Sequence, residues 1–257
     1  MPSVSPEARL EECRRRLHGG TWRDIVVLTG AGISVASGLP TYRGPGGLWT
    51  LPGTRAVPDA ETFANAPSRL WSLFGPLRRQ VEAARPNAAH VALADWERRL
   101  SPEARFTLLT QNVDGLHSRA GSRRVVELHG SLRHTRCGAP DCALEAYVDT
   151  TTPEHAPGCP RCESPLRPDV VLFGEPLPVD AEHTAKRALR DCDLFLAVGT
   201  SGQVTPAANF VRGAKYAGAW TVMVNLTPME PRHPDFDTEL LGRAEDVLPR
   251  LLAPDAA

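Results

Sequence analysis

The sequence predicts an α/β fold, in which a doubly wound parallel sheet carries a second, smaller module. Short apolar runs rich in β-branched residues alternate with segments of helical periodicity, which is the pattern of strands joined by crossover helices. One segment, between Arg136 and Arg167, breaks the alternation with four cysteines, five prolines and no apolar period. A length of 257 residues suffices for one full-sized core with a small module beside it.

Six apolar runs are interpreted as buried strands of the parallel sheet, because each is short and ends at Gly, Asn, Thr or a turn. They span residues 25–28, 106–109, 125–128, 170–173, 194–198 and 221–224. Between several of them, apolar spacing predicts helices over residues 67–85, 88–99, 180–190 and 206–217. Ligands of such sheets bind at the carboxyl ends of the strands, so we expect a functional site at that edge.

Composition argues against two classes of partner. The 29 basic and 30 acidic residues are mixed along the chain, with a formal net charge of -1, so we expect no direct nucleic-acid binding. No apolar stretch approaches the roughly 20 residues of a membrane span, and the first residues lack the apolar core of a secretory signal. We therefore expect a cytoplasmic protein that does not bind membranes.

Four of the six cysteines form two close pairs, Cys137 with Cys142 and Cys159 with Cys162, and 16 residues separate the pairs. This spacing can supply four thiolates to one tetrahedral Zn²⁺ with no open position for water, which is a structural site. Four free or disulfide-linked cysteines are the alternative. Cys13 and Cys192 have no evident partner and are interpreted as reduced thiols.

A glycine-rich motif, GAGIS at residues 30–34, follows the first run. Such glycines let backbone N–H groups approach a pyrophosphate at a helix start, but Val35 replaces the third glycine of a dinucleotide fingerprint, so a plain tight turn is the alternative. The Gly/Pro-rich loop that follows carries a cation and two aromatic residues, a composition suited to closure over a cofactor: Tyr42, Arg43 and Trp49.

Polar residues also follow the other runs. Gln111, Asn112 and Asp114 come after the second run, and His129 comes after the third. Asn112 and Asp114 can hydrogen-bond an amide or a ribose. An imidazole exchanges protons near neutral pH, so His129 is the candidate general base, although a lone histidine after a strand is commonly a satisfied turn residue. Small polar residues end the last two runs and can meet phosphate and ribose oxygens: Thr200, Ser201 and Asn225.

Taken together and in order, GAGISVASGLPTYRG, TQNVDGLH, ELHGS, the two cysteine pairs, VVLFGE, VGTS and VNL resemble the signature set of the sirtuins. The resemblance spans residues 24–251. It implies a Rossmann-like domain (residues 1–35, 86–133 and 168–257), a cofactor loop with the helical part of a small domain (36–85) and a zinc-binding module (134–167). It also implies an NAD-dependent protein deacylase that consumes NAD and gives nicotinamide, O-acyl-ADP-ribose and free lysine, with acyl-lysine proteins or peptides as partners.

The resemblance carries roles over to individual residues. His129 matches the catalytic base, with Asn112 and Asp114 beside it. The NAD site would be lined by Gly30, Ala31, Gly32, Ser34, Tyr42, Arg43, Trp49, Gln111, Asn112, Asp114, Gly199, Thr200, Ser201, Asn225 and Ala244. The peptide backbone would pair with Phe173, Gly174 and Glu175 on one side and with Val204 on the other.

One departure concerns the acyl group. The chain is closest to the sirtuin class that includes desuccinylases and demalonylases, whose members carry a Tyr and, three residues later, an Arg on the helix after the cofactor loop. Those positions are Phe74 and Leu77 here, and Arg78 points about 100° away on a helix. The fork that would hold a carboxylate is missing, so the sequence predicts a neutral acyl pocket for acetyl or a longer apolar chain. Leu172 has no assigned role.

Three other functions remain open from the sequence. Mono-ADP-ribosyl transfer to a protein uses the same expulsion of nicotinamide with a different acceptor. A second alternative is a non-catalytic NAD- or ADP-ribose-sensing module whose zinc-binding segment contacts a partner or nucleic acid. The near-neutral net charge and the candidate base His129 disfavour it. A dehydrogenase is disfavoured because no acidic residue ends the second strand. We expect a monomer.

Overall fold

Six parallel strands form the main sheet of the computed structural model, which describes residues 5–41, 47 and 59–254. They are β1 (Asp24–Thr29), β2 (Arg105–Thr110), β3 (Val125–Glu127), β7 (Leu194–Val198), β8 (Trp220–Asn225) and β9 (Thr238–Leu241). Their order is β3-β2-β1-β7-β8-β9, and every neighbouring pair is parallel. The chain moves outward from β1 to β3, then returns beside β1 and moves outward the other way. The predicted doubly wound sheet is confirmed.

The two faces of this sheet are covered by different helices. Successive strand residues point to opposite sides, so Ile25 and Val27 join one buried cluster and Val26 and Leu28 join the other. The first cluster includes residues of α1 (Pro6–Gly19), α4 (Ala88–Arg99) and α8 (Ala244–Leu252), and the second includes residues of α6 (Val179–Arg190) and α7 (Phe210–Tyr216). Strands buried on both faces explain the continuous apolar runs in the sequence.

A second, three-stranded antiparallel sheet has the order β5-β4-β6, built from β4 (Gly130–Cys137), β5 (Tyr147–Val148) and β6 (Leu166–Val170). Helix α3 (Pro67–Ala83) packs on it through Leu70 and Phe74, which lie in one apolar cluster with Leu132 and Val170. The short helices α2 (Ala60–Asn65) and α5 (Leu116–Ala120) complete the fold.

One expected strand of the parallel sheet is wrong, one strand was not predicted, and one predicted helix is divided. Residues 170–173 are not a strand of the parallel sheet, because the chain pairs antiparallel with β4 up to Val170 and then leaves that sheet. Val170 and Leu172 are apolar because they pack in the cluster beneath α3. The edge strand β9 was missed, because its four residues bury only Leu240. The predicted helix over 206–217 is divided into a 3-10 turn, Ala207–Asn209, and α7.

Helices long and apolar enough to cross a membrane do not occur in the ranges 5–41 and 59–254.

Candidate active site

Three glycines bring two strand ends into backbone contact at the centre of the sheet edge. The N–H of Gly30 donates to the Val198 carbonyl (3.0 Å) and that of Gly32 to the Gly199 carbonyl (2.9 Å). A Cβ on Gly32 would lie 2.7 Å from the Gly199 Cα, and Gly199 itself has φ +61°. The amides of Gly30 and Gly32 are therefore occupied within the protein. These glycines allow the ends of β1 and β7 to approach each other closely. The winding of the sheet reverses between these two strands, and ligands bind at that point in this fold.

Thr200 is held at this edge from both sides. Its hydroxyl accepts a hydrogen bond from Gln111 Nε2 (3.0 Å), and its carbonyl accepts one from Asn225 Nδ2 (2.9 Å). Ser201 is exposed beside it. The predicted residues after β2, β7 and β8 thus form one connected polar row. Ala244 begins α8 and buries its side chain in the core, so only its backbone can face a ligand.

A buried polar network lies at the bottom of the site. The Ser34 hydroxyl donates to Asp114 Oδ2 (2.7 Å), and Asn112 Nδ2 donates to the Ser34 Oγ and the Gly30 carbonyl (3.2 Å each). Asn112 Oδ1 is buried without a hydrogen-bond partner in the described chain. Burial raises the pKa of Asp114 above its ordinary value, although bonds from the Leu116 amide and Ser34 oppose it. The unused Asn112 oxygen can accept a hydrogen bond from a ligand amide.

Two buried histidines that the sequence analysis did not single out support this network. His90 lies against Ser34 Oγ (3.5 Å) and caps α4 with Asn87, while His117 contacts the Thr29 hydroxyl (2.9 Å). Their rings are 4.8 Å apart. Burial lowers the pKa of His90 to about 4 and that of His117 well below its usual range, so both rings are neutral. Asn87 and His90 have the three-residue spacing of a capping box at a helix start. This spacing is a signal in the sequence that could have revealed the role of His90.

His129 lies between β3 and β4 with one ring nitrogen already committed. Its Nδ1 is 2.9 Å from the Gln111 carbonyl, and a carbonyl can only accept, so Nδ1 carries the proton and Nε2 keeps its lone pair. Burial lowers the pKa of His129, and the bond to the Gln111 carbonyl opposes that shift. A neutral imidazole with Nε2 available can act as a general base.

A small apolar cavity adjoins the polar network. It is lined by Ala31, Ser34, Leu39, Pro40, Leu77, Val81, Asn112 and Asp114. Leu77 faces this cavity, whereas Phe74 is buried in the cluster under α3. Arg78 points away and donates to Thr135 Oγ1 (3.2 Å), as its helical position predicts. The residues described around the cavity therefore offer no cation to an acyl group.

The residues expected to pair with a peptide come from two loops. Phe173 is partly exposed, and no atom lies within 4 Å of the position that a Cβ on Gly174 would take. Glu175 directs its carboxylate inward to Arg167. Val204 lies in the loop after β7 and is half-buried.

The four paired cysteines converge in the small module. The Sγ atoms of Cys137 and Cys162 are 3.5 Å apart, those of Cys142 and Cys159 are 3.7 Å apart, and all four lie within 4.8 Å of one another. A tetrahedral zinc with Zn–S bonds of about 2.3 Å needs sulfurs about 3.8 Å apart. The four cysteines are thus positioned to bind one zinc ion. Cys13 and Cys192 are buried free thiols, as expected.

Three residues predicted to line a cofactor site, Tyr42, Arg43 and Trp49, lie outside the described residues.

Comparison with known proteins identifies the family. A family model described as Sir2 family matches residues 30–206. The chain belongs to the Sir2 family, the sirtuins. It is 45% identical over 230 residues to NAD-dependent protein deacylase 2 of Pyrobaculum aerophilum, covering 90% of each chain. It is 44% identical over 237 residues to NAD-dependent protein deacylase 1 of Pseudomonas aeruginosa, covering 90% of this sirtuin and 93% of that protein.

Solved structures of sirtuins share the fold. A Sir2 homologue in complex with NAD has a TM-score of 0.83 and 37% identity, with 94% of this chain and 92% of that one covered. A Sir2 complex with a deacetylated p53 peptide and 3′-O-acetyl-ADP-ribose has a TM-score of 0.81 and 30% identity, with 95% and 97% covered. This sirtuin therefore has the Rossmann-like α/β fold of its family.

Proposed function

We propose that this sirtuin is an NAD-dependent protein-lysine deacylase, which releases nicotinamide, O-acyl-ADP-ribose and free lysine. The observation that carries the proposal is His129, whose Nδ1–H is fixed by the Gln111 carbonyl so that Nε2 is the basic nitrogen. It lies at the same sheet edge as the polar row and the buried Ser34–Asn112–Asp114 network. Relatives that are 44–45% identical over about nine-tenths of the chain are named NAD-dependent protein deacylases.

The polar residues have separate tasks in this proposal. NAD supplies the ribose carbon that the acyl oxygen attacks as nicotinamide leaves, and the ribose hydroxyl that then adds to the acyl carbon. The lysine amine leaves from that carbon, and one water completes O-acyl-ADP-ribose, so NAD and one water are consumed. Asn112 and Asp114 orient the nicotinamide end, because the free Oδ1 of Asn112 accepts from an amide. Thr200 and Asn225 bind the phosphate and ribose oxygens farther along the edge. His129 takes the proton of a ribose hydroxyl at Nε2.

The acyl group in this proposal is uncharged. Leu77 stands where a carboxylate-binding sirtuin has its arginine, and Arg78 is committed to Thr135 and Asp149. A buried carboxylate without a partner is strongly disfavoured. Acetyl or a longer apolar acyl chain is therefore the preferred substrate.

Mass spectrometry of a peptide panel tests both the proposed deacylase activity and the proposed preference for an uncharged acyl group. Peptides with acetyl-, succinyl- and myristoyl-lysine are incubated with and without NAD. We expect NAD-dependent loss of the acyl mass from the acetyl or myristoyl peptide, with O-acyl-ADP-ribose formed. His129→Ala should abolish the loss, and the exposed His183→Ala should keep it. Labelled ADP-ribose that stays on protein would instead indicate a transferase, and faster turnover of succinyl-lysine would refute the neutral pocket.

A further inference from the structure

We infer that Arg167 is a positioning residue for peptide binding, which holds the docking segment, residues 170–175, in the shape that a substrate backbone pairs with. The inference rests on the proposed deacylase function, since it concerns how the acyl-lysine peptide is bound. Arg167 lies on β6, in the sheet of the zinc-binding module, and reaches the docking segment through its guanidinium group.

The guanidinium group of Arg167 joins the two ends of the docking segment. Its Nη1 and Nη2 donate to the two carboxylate oxygens of Glu175 (2.6 and 3.0 Å), and Nη2 also donates to the Val170 carbonyl (2.7 Å). Glu175 Oε2 in turn accepts from the Leu172 amide (2.8 Å), and the Glu175 amide donates to the Leu172 carbonyl (3.0 Å). Arg167 thereby fixes the first and last residues of this six-residue turn directly, and it fixes the third, Leu172, through the carboxylate of Glu175.

Neither charged group of this pair is placed to contact a substrate. Arg167 is only 3% exposed, and both oxygens of the Glu175 carboxylate accept bonds from inside the protein. Burial raises the pKa of Glu175, but the bonds from Arg167 and the Leu172 amide outweigh it, so the pKa lies below its ordinary value and the carboxylate stays charged. The pair acts on a peptide only through the backbone that it holds, including Gly174 with φ +87° and open space above its Cα.

Arg167 also connects the docking segment to the zinc-binding module and to helix α2. Its guanidinium carbon lies 5.0 Å from the centre of the Phe63 ring on α2. A Cβ on Gly138, next to the zinc-ligand candidate Cys137, would lie 2.4 Å from that ring, so the module packs directly on Phe63. The Ala60 amide of α2 donates to the Phe173 carbonyl (3.2 Å). Three parts of the protein therefore meet at one guanidinium group.

The geometry favours a positioning role over a purely stabilising one. A buried ion pair commonly contributes little net stability, because desolvation of both charges offsets their attraction. A bidentate arginine adds geometric specificity, which a lysine cannot reproduce at a site with three acceptors. A segment that is already ordered also avoids the entropic cost of ordering when a peptide adds its strand.

Steady-state kinetics with an acetyl-lysine peptide separate positioning from stability. We would compare Arg167→Met, Arg167→Lys and Glu175→Gln with Arg78→Met. Arg78 is a matched control, because it is equally buried at 3% and also faces the zinc-binding module, but its contacts are Thr135 and Asp149. Thermal stability and zinc content are measured for every variant, and Arg167→Lys and Glu175→Gln decide the question if Arg167→Met does not fold.

We expect Arg167→Met to raise the peptide KM roughly tenfold, with the NAD KM changed less than about twofold. Arg167→Lys should recover part of the loss. Glu175→Gln should raise the peptide KM on its own, and the double variant Arg167→Met with Glu175→Gln should have the peptide KM of Arg167→Met alone. Hydrogen exchange at the Leu172 and Glu175 amides should be faster in Arg167→Met than in Arg78→Met.

Two results distinguish the possible failures. Folded, zinc-loaded Arg167 variants whose peptide KM matches that of wild type, or rises no more than that of Arg78→Met, would overturn the positioning role alone. A wild-type protein that releases no nicotinamide from NAD when the peptide is added would refute the proposed function, and this inference with it.

Discussion

Replacement of Gly32 by alanine should separate the loop after β1 from the loop after β7, which meet at the centre of the sheet edge. The added Cβ would lie 2.7 Å from the Gly199 Cα and 2.8 Å from the Gly199 carbonyl oxygen. Ordinary contact begins at 3.4 Å, so the loops must move apart by about 0.7 Å. Both neighbours are backbone atoms, and no side-chain rotation can relieve the clash.

The free-energy cost of the Gly32→Ala substitution follows from the methyl group that it adds. An extra methyl group in a tightly packed position costs roughly 1–3 kcal/mol. For a protein of this length each kcal/mol lowers the Tm by about 2–4 °C, so we expect a fall of about 2–12 °C. The same displacement should raise the NAD KM, because the Gly32–Gly199 contact lies where the sheet reverses its winding.

Differential scanning calorimetry and NAD-dependent nicotinamide release measure the two effects. Gly19→Ala is the matched control, since no atom lies within 4 Å of its Cβ position at the end of α1, and its Tm should stay within about 2 °C of wild type. A Gly32→Ala protein with the Tm and the NAD KM of wild type would refute the packing role assigned to this glycine.

Three further predictions concern the metal, the pH dependence and the acyl pocket. Chelation should release one zinc per chain and lower the Tm by more than about 5 °C, and an unchanged Tm with no zinc released would contradict the structural role. Burial lowers the pKa of His129 from 6.5 and the base works when neutral, so the acid limb of kcat/KM should lie below pH 6.5; a limb above that value would count against His129 as the base. Phe74→Tyr with Leu77→Arg should increase succinyl-lysine turnover at least about tenfold relative to acetyl-lysine, and an unchanged ratio of the two kcat/KM values in matched peptides would show that another feature sets acyl preference.

Local sequence patterns predicted the features that depend on local chemistry. Runs buried on both faces identified β1, β2, β7 and β8, and the two cysteine pairs identified the zinc-ligand set without knowledge of the fold. The residues after each strand were predicted to meet because parallel strands share a carboxyl edge. The structure joins Gln111, Thr200 and Asn225 there by direct hydrogen bonds.

Features that depend on distant partners could not be predicted in the same way. Residues 170–173 look like a sheet strand because they are apolar, but their apolar partners are in α3 and β4, far away in sequence. A buried Arg167 is not expected from composition, since its partner Glu175 is recognisable only once the chain turns back on itself. His117 is buried in the first turn of a five-residue helix, and its contact with Thr29 spans 88 residues.

The most direct test of the central claim is the stoichiometry of the products. Nicotinamide, deacylated peptide and O-acyl-ADP-ribose are quantified together by mass spectrometry after incubation of the acetyl-lysine peptide with NAD. The proposed reaction predicts equal amounts of the three in wild type, with O-acyl-ADP-ribose lost in His129→Ala. Nicotinamide release without deacylated peptide, or deacylation that persists in His129→Ala, would contradict it.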